Sequence, residues 1–130
     1  MKNSPIVVPL ICLFLFVSCA KNKSQSFPNE MSEMANAMRE MVTQLVQARS
    51  DLKAGKTAQL NFKSFYNYGL TDESFNKPGL EGMSQFLLTQ SKTFDTNPTP
   101  KSYNNVINAC QSCHIYLCPG PLDLINTLNY

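Results

Sequence analysis

The sequence contains one histidine, His114, among 130 residues, and only nine Asp and Glu residues, which are dispersed. No pair of carboxylates stands ready to share acid and base duties. No Ser-His-Asp set can be assembled without that one imidazole, so hydrolytic chemistry is not expected. Eleven Lys and Arg residues give a formal charge of +2, and they form no basic run. A chain so nearly neutral lacks the footprint of a nucleic-acid binder. Its longest largely apolar stretch, from Pro5 to Val17, is too short to span a bilayer. With 43% hydrophobic residues, the remainder suits one small domain.

That short apolar stretch has a different meaning. Lys2 precedes it, and Ser18 and Cys19 close it. A positive start, an apolar middle and small residues at the cut describe a secretory signal. The ending Leu15-Phe16-Val17-Ser18-Cys19 resembles the lipobox of bacterial lipoproteins, with Phe16 where leucine is usual. The resemblance implies cleavage before Cys19, a diacylglycerol thioether on its sulfur and acylation of the new amine. Residues 1–18 are then the signal peptide, 19–27 a lipidated polar tether, and 28–130 the domain. Two or three acyl chains hold a protein stably to a membrane. Ala20, in place of an aspartate, implies the outer membrane of a bacterial envelope, with the domain facing the periplasm.

The domain reads as helical. Pro28 suits a first turn, and Glu30 and Glu33 suit the positive end of a helix dipole. Met31, Met34, Met38, Met41, Leu45, Ala48 and Leu52 then alternate spacings of three and four, and Gly55 offers a stop. This predicts a helix over 28–54. A second helix is expected over 78–95, with Pro78 at its start and a stripe of Leu80, Met83, Leu87 and Phe94 widened by Phe86 and Leu88. Thr99 as N-cap and Pro100 as first residue open a third over 100–117, ended by Cys118-Pro119-Gly120-Pro121. Its inward face carries Tyr103, Val106, Ile107, Cys110, Cys113, His114 and Leu117. The aromatic-rich 56–77 follows neither helix nor strand period, which predicts an irregular crossover running back along the first helix. Leu122, Leu124, Ile125 and Leu128 form a short apolar tail. The expected fold is all-α: an antiparallel helical bundle of three long helices plus the crossover, four-helix-bundle-like.

On the last long helix, Cys110-Gln111-Ser112-Cys113-His114 spells C-x-x-C-H. Positions i, i+3 and i+4 share one helix face, so two thiols and an imidazole address one flat macrocycle. The thiols add across the vinyl groups of a haem and the imidazole binds its iron, the attachment chemistry of haem c. Cys110, Cys113, His114 and Cys118 also admit a zinc reading, but ligands so close on a continuous helix do not readily close a tetrahedron. A thioredoxin-type C-x-x-C needs a strand–turn–helix setting that the pattern lacks. A structural lipoprotein with a Cys110–Cys113 disulfide is a further, colourless alternative. Cys118 is the odd thiol, read as a small packed hydrophobe near the haem edge.

Only 16 residues follow His114 and none is methionine, so any methionine ligand must come from upstream. A C-terminal C-x-x-C-H on the last helix of a helical bundle resembles the class II c-type cytochromes, the cytochrome c prime family, over about residues 28–118. The short chain, the irregular 56–77 and the Cys-Pro-Gly-Pro tail depart from that family, which makes this a divergent lipoprotein relative. The resemblance implies that the sixth iron position faces the start of the first helix. Antiparallel helices place His114 opposite about residue 31, which nominates Met31 or Met34 as distal ligand, with Met38 a turn away. The remaining methionines are then core. A methionine ligand suits a membrane-anchored electron carrier, not an enzyme, working with redox partner proteins of the envelope. An iron without it stays five-coordinate and open to NO or CO. Arg39, Lys63 and Lys101 are the cations considered for the haem propionates. Class II proteins often dimerise, so a homodimer is left open.

Overall fold

The computed structural model describes residues 31–130. The signal over 1–18, Cys19, the tether over 19–27 and residues 28–30 of the first expected helix lie outside the described residues. Among the described residues the structure is helical and contains no strand. No helix there is long and apolar enough to cross a membrane.

Helix α1 spans Glu33–Lys53. Ser32 is its N-cap, in extended conformation, and its hydroxyl accepts from the Ala35 amide at 3.1 Å. The helix therefore starts later than Pro28 suggests, and Met31 stands before the cap, off the apolar stripe and 45% exposed. At the other end Gly55 takes φ +67°, and Lys56 and Gly55 donate back to the Asp51 and Leu52 carbonyls at 2.9 and 3.1 Å. This is a Schellman stop, and its left-handed position is the one where glycine belongs. Met41, Leu45 and Ala48 are buried, while Met34 and Met38 are half-buried.

The following segment returns along α1, as its sequence suggests. The Asp95 carboxylate accepts from the amides of Leu60 and Asn61 at 2.6 and 3.0 Å, pinning the early crossover. Ala58, Leu60 and Phe65 enter the core. By Gly69 the chain has reached the start of α1: the Gly69 carbonyl accepts from Met34 N at 3.1 Å and its amide donates to Glu33 Oε2 at 3.0 Å. A single 3-10 turn at Glu73–Phe75 leads on to the next helix.

Helix α2 spans Leu80–Thr96, beginning two residues after Pro78 because Gly79 sits at φ +99°, a conformation that no helix includes. Its buried face is Ser84, Leu87, Ser91 and Phe94; Phe86, expected on the stripe, is 53% exposed. The two serines occupy the seam against the next helix, where their small side chains allow close approach. Ser84 returns its hydroxyl to the Glu81 carbonyl at 2.8 Å, which lets it be buried without an outside partner. Helix α3 spans Pro100–Leu117 and opens with a capping box between Thr99 and Ser102, so its expected bounds hold. A short α4, Leu122–Asn126, buries Ile125 and, just beyond it, Leu128.

Tyr103 joins these parts. It is fully buried, its ring meets Phe94 edge-on at 6.0 Å, and its hydroxyl donates between the Leu45 and Leu128 carbonyls at 3.1 and 3.0 Å. One side chain of α3 thus touches α1, α2 and the tail.

Candidate functional site

Between the first half of α1 and the last turns of α3 lies a cavity of about 480 Å³. Met34, Met38 and Met41 border it from α1, and Leu70 and Phe75 from the crossover. Cys110, Cys113, His114 and Leu117 border it from α3, and Pro119 to Pro121 and Leu124 close it from the tail. Most of these side chains are apolar, and the size falls within the range of cofactor sites. Arg39 stands on its wall as the one Lys or Arg among the described residues there; Lys63 and Lys101 do not reach it.

Helical spacing puts Cys110, Cys113 and His114 on that wall together. Cys110, Cys113 and Cys118 are free thiols. Burial pushes the Cys110 thiol up to about 12, with Cys113 nearby adding to the rise. Burial likewise pushes Cys113 up to about 11, with Cys118 contributing, and raises Cys118, where Lys77 opposes the shift. These are neutral thiols at ordinary pH. That is the opposite of the depressed values that mark nucleophilic or redox-active C-x-x-C pairs.

His114 is buried, and its Nδ1 lies 3.0 Å from the Cys118 carbonyl oxygen and 3.4 Å from the Cys118 sulfur. A carbonyl oxygen only accepts, so the proton of the neutral ring belongs on Nδ1. Nε2 is left with its lone pair and, among the described residues, no hydrogen-bond partner. It is the nitrogen free to bind a metal. Among the described residues no three or more His, Cys, Asp and Glu side chains group to hold a bare metal ion, which leaves the zinc reading without a ligand set.

Of the two methionines expected opposite His114, the structure brings Met34 to the cavity and leaves Met31 outside it. The register follows from Tyr103 beside Leu45. His114 lies eleven residues further along α3, about 16 Å at helical rise. Eleven residues back along α1 from Leu45 is Met34. Met31 lies outside the lining because Ser32 caps the helix after it. Reading the sequence also missed the contact of Cys118 with His114. The only signal for it was their i, i+4 spacing across a helix end.

No protein-family model, curated protein or solved structure matches this chain.

Proposed function

We propose that this protein is a monohaem c-type cytochrome, an electron carrier tethered through a lipid on Cys19 to a membrane of the bacterial envelope and facing the periplasm. We read it as a divergent relative of the class II c-type cytochromes, a helical bundle with its haem site on α3. The observation that carries this reading is one wall of one apolar cavity bearing two neutral thiols and an imidazole whose Nε2 is free.

Each residue has a definable task. Cys110 and Cys113 would each add a sulfur and a proton across a vinyl double bond, a step that neither consumes nor releases electrons. His114 Nε2 would be the donor to the iron, with the Cys118 carbonyl holding the ring proton on Nδ1. Met34, on the lining of the same cavity, would offer a thioether from α1. Leu70, Phe75 and Leu80 add apolar lining to the cavity, and Arg39 on its wall would face the carboxylates of a bound haem. A haem held there would supply an iron that takes up and releases one electron.

The test is an absorption spectrum of the full chain produced with haem-attachment machinery, with haem staining on a denaturing gel. A Soret band and haem that survives denaturation support the reading; their absence overturns it. A weak far-red ferric band that disappears in M34L identifies the thioether ligand. A high-spin spectrum that shifts with CO instead identifies an open, gas-binding iron.

A further inference from the structure

One residue orients His114 from four positions on. Cys118 is the C-cap of α3, at φ −152° and ψ 85°. Its amide still closes the helix on the His114 carbonyl at 3.2 Å, but its extended backbone turns its own carbonyl onto the imidazole. Pro119 favours that conformation, because a proline ring crowds a helical backbone in the residue before it. The Cys118 side chain comes to the same nitrogen as its carbonyl, the oxygen at 3.0 Å and the sulfur at 3.4 Å from Nδ1.

We propose that Cys118 is the positioning residue for His114, its carbonyl holding the proton on Nδ1 and its sulfur serving as a second, softer acceptor for that same proton. The consequence for iron rests on the haem reading above; the geometry at the ring does not. A single acceptor leaves an imidazole free to swing about one hydrogen bond. A second acceptor on the same residue restricts that swing and fixes where Nε2 points. A ring whose N–H is shared with acceptors is also the more basic metal donor. Ferric iron gains more from a stronger donor than ferrous iron does, so the contact lowers the reduction potential. Cys118 is thereby tied to the cofactor without bonding to it.

The test compares the full chain carrying Cys118 with C118A and C118S, loaded with haem. Removing the sulfur in C118A is expected to raise the midpoint potential. C118S, which keeps an acceptor at this position, is expected to fall back toward the original value. Equal potentials in all three loaded proteins overturn the proposal while leaving the haem assignment intact. A second readout needs no haem: His114 is the only histidine, so ring-nitrogen NMR of histidine-labelled full chain reports one imidazole. The Nδ1-protonated tautomer, with faster exchange of that proton in C118A than in C118S, supports the proposal. An Nε2-protonated ring in the unloaded chain overturns it. Should no haem attach, the function reading fails, and the NMR comparison still decides the role of Cys118.

Discussion

The two ends of the molecule are built on opposite terms. At the end around Tyr103, polar groups and rings are matched. Arg49 donates to the Thr127 and Asn129 carbonyls at 2.8 and 2.9 Å, Tyr103 meets the Tyr130 ring edge-on at 6.2 Å, and Lys53 lies over that same ring. At the end around His114, Met34, Met38 and Cys110 are only half-buried and line a cavity. The α1 stripe is chemically continuous, yet it is covered at one end and left facing a cavity at the other. An apolar void forfeits dispersion contacts for every atom lining it. The closed end therefore holds more of the packing that stabilises the fold, and a group bound at the open end would add to it.

The largest effect to expect is all-or-none. Replacing Cys110 and Cys113 together by serine should abolish denaturation-resistant haem, while replacing Met31 by leucine should leave both attachment and spectrum unchanged. Filling the cavity should raise the melting temperature of the chain; a loaded protein no more stable than the unloaded one would contradict the idea of an open end waiting for a ligand.

Next in size is Tyr103. Y103A removes a fully buried ring and two carbonyl contacts, and should cost about 3–5 kcal/mol in denaturant unfolding. M38A, on the half-buried cavity wall, should cost about 1 kcal/mol or less in the unloaded chain. Equal losses at the two sites would break the comparison. D95A, which strips an acceptor from the Leu60 and Asn61 amides, should cost about 2 kcal/mol.

Alkali distinguishes the ends by charge. Burial raises Cys110 from 9.0 to about 12 in the folded chain. Its contribution to stability is therefore full below about pH 9 and lost as pH climbs toward 12. Unloaded protein should weaken over that window, C110A less so; a thioether cannot ionise, so loaded protein should lack this loss. The smallest effect belongs to Ser91, whose buried hydroxyl has no partner among the described residues. S91A should change stability by about 1 kcal/mol or less, toward greater stability, since it removes an unsatisfied group.

Much of the architecture was legible in the chain because its signals are local. Thr99-Pro100 opened α3 where it begins, and Gly55 stopped α1, since caps and left-handed turns depend on a few adjacent residues. Pro28 suggests an earlier start for α1 than the structure shows, because the extended backbone at Ser32 makes that residue the cap. Phe86 is exposed although the hydrophobic stripe includes it, since hydrophobicity alone does not decide burial. The α2–α3 seam selected Ser84 and Ser91 instead, on size.

The C-x-x-C-H spacing by itself determined that Cys110, Cys113 and His114 would share one face, because helical periodicity leaves no other arrangement. It could not say what that face would meet. The tertiary structure decided that: Tyr103 between Leu45 and Leu128 sets the register of α3 on α1. That packing brings Met34 and His114 onto the lining of one cavity. It also turned Cys118 from a spare thiol into the partner of the imidazole. Contacts of this kind depend on the packing of distant segments and the exit angle of a helix end, neither of which has a periodic signature in the chain.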